Sequence, residues 1–115
     1  MDLWQEILQK RRDLDYCIKQ LRANGTAYAE AERAYKVRLR AECLALRNEG
    51  MPVTLIQLTV YGVPEVADLR FERDKAEATW KANSEAIQSV KLQLRLLESQ
   101  LQREYGAPNL GRGNM

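Results

Sequence analysis

The side chains that most often carry out catalysis or bind metal ions are scarce in this sequence. Its 115 residues include no histidine, which is the commonest general base and the commonest transition-metal ligand. Cys17 and Cys43 cannot form a four-ligand zinc site by themselves, and on one helix they would lie about 39 Å apart, too far for a disulfide bond. We therefore expect two buried free thiols, no metal, no cofactor and no enzyme activity.

A second group of residues has the chemistry to bind phosphates and stack on bases. It comprises Tyr28, Arg33, Tyr35, Lys36, Arg38 and Arg40. Proteins that bind single-stranded nucleic acid combine basic and aromatic side chains in this way. However, this basic segment also contains acidic residues, Glu30, Glu32 and Glu42, and the net charge of the chain is only +2. A solvated helix face is therefore the favoured interpretation, with nucleic-acid or nucleotide binding as the alternative.

The elements that would position these residues are long helices. From Val66 onward, residues recur in the alternating spacing of three and four that is typical of a helical seam. The seam comprises Val66, Leu69, Ala76, Trp80, Ile87, Val90, Leu94, Leu97 and Leu101, with Arg73, Asn83 and Glu104 in the same register. Pro64 suits a first helical turn, and Gly106 with Pro108 suits an end, so the pattern predicts a helix over residues 64–105.

The first half of the chain repeats the pattern and predicts a second long helix over residues 2–49. Its apolar ridge comprises Leu3, Ile7, Leu14, Ile18, Leu21, Tyr28, Tyr35, Leu39 and Leu46. Asn24-Gly25-Thr26 interrupts this helix, because glycine is a poor residue for a helix interior. The seven-residue rhythm passes Gly25 without a change of phase, which favours a kink near residue 25 over a break into two helices.

Residues 50–63 form the predicted hinge between the two helices. Thr54 and Gln57 have the spacing of a capping box, so a short helix over about residues 55–61 is expected, with a short strand as the alternative. A DNA-reading helix-turn-helix around Gly62 is disfavoured by bulky Leu58 and charged Asp68. Five apolar residues have no evident role within one chain and are candidate partner contacts: Met51, Val53, Leu55, Val60 and Tyr61.

Together these elements predict an all-α fold, a long antiparallel coiled-coil-like helical hairpin with a short helical hinge. We expect one domain over residues 1–105 and a disordered tail over residues 106–115. Arg73 and Asn83 would be costly in an apolar seam unless paired, and such residues often fix the stoichiometry of helix assemblies. We therefore expect a homo-oligomer, a dimer or a tetramer, whose seam comprises Arg73, Trp80, Asn83, Ile87, Val90, Leu94, Leu97 and Leu101.

Several segments along the chain carry a resemblance to known proteins: Tyr28-Ala29-Glu30-Ala31-Glu32, Tyr35-Lys36, residues 44–50, Pro52-Val53-Thr54-Leu55-Ile56, Gly62, Val66-Ala67-Asp68-Leu69-Arg70, Arg73-Asp74 and Glu85-Ala86-Ile87. Together they resemble a group of small α-helical proteins encoded by prophages of Gram-positive bacteria, near recombination and replication genes. The resemblance implies a phage protein in the cytoplasm of the bacterial host. From the residues themselves we also expect neither a signal peptide nor a membrane span.

Two functions are compatible with these features. The first is a non-enzymatic accessory protein that oligomerises and binds a recombination or replication protein, or single-stranded DNA. The alternative is an anti-defence protein that sequesters a signalling nucleotide or inhibits a host defence protein. In that case Tyr28, Arg33, Arg40 and Tyr61 would be the natural contacts to phosphates and bases.

Overall fold

The computed structural model describes residues 2–105, which form three α-helices and one 3-10 turn. Helix α1 spans Leu3–Asn48, α2 spans Val53–Thr59, the 3-10 turn spans Val60–Gly62 and α3 spans Pro64–Tyr105. The predicted all-α helical hairpin with a short hinge helix is confirmed, and no strand forms among residues 2–105. The predicted tail, residues 106–115, lies outside the described residues.

Both ends of α1 are closed by local hydrogen bonds. Asp2 Oδ1 accepts a hydrogen bond of 2.8 Å from the backbone N–H of Gln5, which satisfies one of the free donors of the first turn. At the other end, Gly50 has a φ of +89°, a value that side chains with a Cβ rarely adopt. The N–H groups of Gly50 and Met51 donate to the carbonyls of Arg47 (2.9 Å) and Leu46 (3.1 Å). This pair of bonds is a Schellman motif, and it ends the helix.

Helix α1 runs through Gly25 without interruption, so the alternative of two separate helices is wrong. Gly25 instead faces Trp80 of α3. A Cβ atom at position 25 would lie 3.4 Å from Nε1 of Trp80, in van der Waals contact with the indole ring. A kink at this position stays a prediction.

Helix α2 begins two residues earlier than the sequence indicated. Its N-cap residue is Pro52, which makes no side-chain capping bond, so the capping box predicted from Thr54 and Gln57 does not form. Helix α3 begins at Pro64 as predicted. The carbonyl of Val63 accepts a bond of 2.9 Å from the N–H of Ala67, and proline can occupy the first helical position because no partner for its nitrogen is required there.

The chain divides into two compact units, each containing part of α1 and part of α3. The unit over Arg22–Lys81 also contains α2 and the 3-10 turn, and its core is formed by Tyr35, Val60 and Val66. Partly buried residues pack against that core: Leu39, Cys43, Leu46, Val63 and Leu69. Along this unit Tyr28 meets Trp80 and Tyr35 meets Arg73, so α1 and α3 run antiparallel.

The other unit combines Met1–Leu21 with Ala82–Met115, of which residues 2–21 and 82–105 are described. Ile7 and Ile87 are its buried apolar residues. The side chain of Asn83 donates a hydrogen bond of 3.0 Å to the backbone carbonyl of Cys17. At the surface, Arg11 Nη2 and Glu98 Oε2 form an ion pair of 2.9 Å between α1 and α3.

The predicted seam of α3 is buried or half-buried at every position from Val66 to Leu101. Arg73, Trp80 and Asn83 contact α1 of the same chain. The ridge of α1 is also confirmed except at Ile18, which is 47% exposed while the neighbouring Cys17 is half-buried. These contacts show that the seam packs on α1 within one chain, and its role in an oligomer stays a prediction.

Candidate interaction surfaces

Arg73 is the centre of a polar contact inside the seam. Its guanidinium carbon lies 4.7 Å from the centroid of the Tyr35 ring, and its Nη1 lies 3.6 Å from Glu32 Oε1. Its Nε donates a hydrogen bond of 2.8 Å to Asp74 Oδ1, and this bond is the main cause that raises the pKa of Arg73. The partly buried cation is thus neutralised by carboxylates from both helices, which favours one register of α1 on α3.

The ring of Tyr28 stacks on another aromatic ring inside the hairpin. Its ring lies on Trp80 with a centroid separation of 5.4 Å and an interplanar angle of 21°. Its hydroxyl donates a hydrogen bond of 3.3 Å to Glu77 Oε2. Desolvation, followed by the negative charges of Glu32 and Glu77, raises the pKa of Tyr28 above its ordinary value of 10.0. The ring face against Trp80 is therefore unavailable to a nucleic-acid base.

The Tyr28 environment predicts a loss of stability in alkaline solution. The folded chain holds the phenolic proton more tightly than the unfolded chain, so Tyr28 leaves stability unchanged below a pH of 10.0 and lowers it as the pH rises further. Urea unfolding on both sides of this pH should show a smaller alkaline loss for Tyr28→Phe than for the wild type. Tyr16→Phe, at an exposed tyrosine, is the control. An equal loss in the wild type and Tyr28→Phe would contradict the assignment.

The predicted phosphate contacts are brought together only in part. Lys36 Nζ lies 3.9 Å from Glu32 Oε1, and Arg38 Nη2 lies 2.7 Å from Glu42 Oε1. Arg33 and Arg40 are exposed and form no ion pair within residues 2–105. Two of the four basic residues thus face glutamates of their own helix, and the aromatic partner Tyr28 faces Trp80.

The hinge residues divide into a buried and an exposed group. Val60 is 1% exposed and belongs to the core with Tyr35 and Val66, which corrects its prediction as a partner contact. Met51 is half-buried, whereas Val53, Leu55 and Tyr61 are exposed. Leu58, an apolar hinge residue that is not among the five candidate contacts, is 79% exposed. Its spacing of three from both Leu55 and Tyr61 places it on the same side of the segment.

Leu55, Leu58 and Tyr61 form a surface that we name the turn patch. Ile56 and Val60 turn toward the core from the same segment and are buried. The Tyr61 ring contacts only a surface cation among the aromatic and charged contacts of residues 2–105: the guanidinium carbon of Arg70 lies 5.3 Å from its centroid. The apolar area of the turn patch is therefore left open to solvent.

A second surface lies on α1, where exposed apolar residues that were not identified from the sequence adjoin the predicted basic residues. A shallow depression of about 500 Å³ is lined by Glu30, Arg33, Ala34, Val37, Arg38 and Ala41. A second depression, of about 240 Å³, follows toward α2 and is lined by Cys43, Leu44, Arg47, Val53, Ile56 and Gln57. Small apolar residues at spacings of three and four, offset by two positions from the inner ridge, are the pattern that indicates this surface.

Metal and membrane sites are missing from the part of the chain that the structure describes. No group of three or more cysteine, aspartate or glutamate side chains within residues 2–105 could hold a metal ion. No helix in the same range combines the length and apolar content of a membrane span. Comparison with known proteins found no matching protein family, no matching curated protein and no matching solved structure.

Proposed function

We propose that the chain is a non-catalytic accessory protein of a temperate phage, which assembles with itself and binds a protein of recombination or replication. The observation that carries the binding role is the turn patch. Leu55, Leu58 and Tyr61 are 48%, 79% and 46% exposed, although Ile56 and Val60 already supply the core contacts of this segment. Clustered apolar side chains of this kind are typical of protein interaction sites. The phage setting rests on the sequence resemblance alone.

The balance of buried and exposed apolar residues supports self-assembly. Within residues 2–105, six apolar side chains are buried, whereas thirteen large ones are exposed. A core of that size stabilises a small domain only weakly, and many small proteins gain further stability by associating with additional copies. We therefore propose a dimer or a tetramer in which the turn patch contributes to the interface.

A protein partner is better supported than single-stranded DNA or a captured nucleotide. Tyr28 is stacked on Trp80, and Lys36 and Arg38 face glutamates, so most of the residues suited to bases and phosphates already have partners. The net charge of +2 also supplies little general attraction to a phosphate backbone. The anti-defence alternative is therefore favoured only in its protein-inhibiting form.

The double variant Leu55→Ser, Tyr61→Ser tests the role of the turn patch. It should keep the helical content of the wild type, because the α1–α3 seam is untouched and the lost contact with Arg70 is worth only about 0.5–1 kcal/mol. It should lose the self-association of the wild type, because both apolar side chains would leave the interface. Circular dichroism reports the first result and light scattering reports the second.

Leu92→Ser, Leu96→Ser is the matched control, since it removes two exposed leucines from α3 outside the turn patch. We expect this control to keep the mass of the wild type. A wild-type protein that is monomeric at micromolar concentration would contradict self-assembly. A double variant that retains the wild-type mass would show that the turn patch is not an assembly surface.

A further inference from the structure

The outward side of α1 carries two parallel rows of residues between positions 33 and 47. The apolar row comprises Ala34, Val37, Ala41 and Leu44, and the basic row comprises Arg33, Arg40 and Arg47. Positions three, four or seven apart lie on one side of a helix, so each row is continuous and the two rows adjoin. We name these seven residues the α1 outer face.

The α1 outer face does not turn toward α3, and only its end at Leu44 and Arg47 borders α2. The residues that turn toward α3 include Tyr28 and Tyr35, and Val37 lies two positions from Tyr35, about 200° around the helix. Val37 is 64% exposed and Leu44 is 48% exposed. The depression of about 500 Å³ that contains Ala34, Val37 and Ala41 shows that the small side chains leave a groove. Alanines in such a groove allow a second helix to approach closely.

The charges beside the groove determine which helix can occupy it. Arg33 and Arg40 have no ion pair within residues 2–105, and Arg47 continues their row toward α2. On the opposite flank Arg38 is already paired with Glu42 at 2.7 Å. The only acid that lines the groove is Glu30, at one end. A partner helix therefore meets mainly positive charge along one edge.

The same charges disfavour the α1 outer face of a second copy. In an antiparallel pair, Arg40 would face Arg40 of the other copy and Arg33 would face Arg47. In a parallel pair, Arg33 would face Arg38. Like charges at these flanking positions are destabilising, whereas opposite charges select a partner. Self-association through this face is thus opposed in both orientations.

We propose that the α1 outer face docks an acidic amphipathic helix of another protein. The apolar side of that helix packs on Ala34, Val37, Ala41 and Leu44. Its acidic residues, repeated every seven positions, pair with Arg33, Arg40 and Arg47. This mode is the helix-in-groove recognition that peptide-binding proteins use, with arginine as the anchor because its guanidinium pairs well with carboxylates. The proposal shares with the proposed function only the premise that the chain binds protein, and it uses a surface separate from the turn patch.

A designed peptide is the probe. It is a labelled amphipathic helix with leucines at spacings of three and four and a row of glutamates beside them, and its control has lysines in place of the glutamates. Fluorescence anisotropy should show binding of the glutamate peptide that weakens as salt is raised, because the paired charges are at the surface. The lysine peptide should bind at least about tenfold more weakly. Absence of binding by the glutamate peptide, or equal binding of both peptides, overturns the proposal.

Variants locate the binding on the α1 outer face. Arg40→Glu should weaken the binding of the glutamate peptide by about tenfold or more, because an attractive contact at the centre of the row becomes repulsive. Lys91→Glu makes the same change of net charge on α3, in the other unit, and should leave the affinity unchanged. Val37→Ser should also weaken binding, since Val37 is the apolar centre of the groove. Equal losses in Arg40→Glu and Lys91→Glu would overturn the proposal.

Two further measurements separate this proposal from the others. The variant Leu55→Ser, Tyr61→Ser should bind the glutamate peptide as the wild type does, whatever its oligomeric state. Loss of peptide binding in that variant would assign the peptide to the turn patch and overturn the proposal. A labelled single-stranded oligonucleotide should bind no more tightly to the wild type than to Arg40→Glu. If it binds the wild type and displaces the peptide, the arginine row is a phosphate site and the proposal fails.

Discussion

Val66→Asp should leave the unit over Arg22–Lys81 unfolded at room temperature. Val66 is 0% exposed and forms the core of this unit with Tyr35 and Val60. An aspartate there would place a carboxylate among apolar groups with no cation provided for it, at a cost of roughly 3–5 kcal/mol. Small domains have a total stability of about 5–15 kcal/mol, and a core this small belongs near the lower end. The substitution therefore removes most or all of the stability.

Circular dichroism and urea unfolding would measure this effect. Val37→Asp is the matched control, because it makes the same chemical change at a valine that is 64% exposed, and its cost should stay below about 1 kcal/mol. Ile87→Asp extends the test to the other unit, where Ile87 is 6% exposed. A Val66→Asp protein with wild-type helicity and a wild-type urea midpoint would show that the core has been placed wrongly.

The long helices were predictable because their signals are local and repeated. The seam of α3 recurs through more than five heptads, and each added repeat strengthens the assignment of one buried side. Pro64 then fixes the start, because it suits the first turn and disfavours a helical residue before it. Gly50 fixes the end of α1 in the same way, through the positive φ that a Schellman motif requires.

The hinge was harder to interpret because it is apolar on every side. Within residues 53–61, periodicity alone cannot separate buried Val60 from exposed Leu58. Val60 is buried because it packs with Tyr35, which lies 25 positions earlier in the sequence. The predicted start of α2 was wrong for a different reason. Pro52 is the N-cap residue, so Thr54 already lies inside the helix and cannot form the predicted capping box.

The polar residues of the seam could be identified from the sequence, but their partners could not. Arg73 and Asn83 were identified as seam residues from their heptad positions. Their partners, Glu32 and the carbonyl of Cys17, depend on the register of α1 against α3. Ile18 is exposed because it lies one position beyond the row of seven-residue spacing that is half-buried, which comprises Leu3, Lys10, Cys17 and Asn24. Arg33 and Arg40 of the α1 outer face were identified as basic residues, but its apolar row was missed because that row became distinct only once the inner face was known.

Trp80→Ala should strongly destabilise the unit over Arg22–Lys81. Trp80 stacks on Tyr28 and covers Gly25, so its loss removes an aromatic pair and leaves a gap between α1 and α3. Replacement of a buried Trp by Ala costs about 3–5 kcal/mol, and the partial exposure of Trp80 reduces the expected cost to about 2–4 kcal/mol. Urea unfolding of the single variant would measure this loss.

The pairing of Trp80 with Gly25 makes a sharper test, because Gly25→Leu should change sign between two backgrounds. In the wild type, the Cβ alone would lie 3.4 Å from Trp80 Nε1, so the rest of a leucine side chain must displace the indole and destabilise the protein. With Trp80→Ala in place, the same leucine fills the gap and also removes a helix-interior glycine, which is worth about 1 kcal/mol. A double-mutant cycle by urea unfolding should therefore give a coupling energy above about 1 kcal/mol. Equal effects of Gly25→Leu in both backgrounds would mean that Gly25 and Trp80 do not meet across the hairpin.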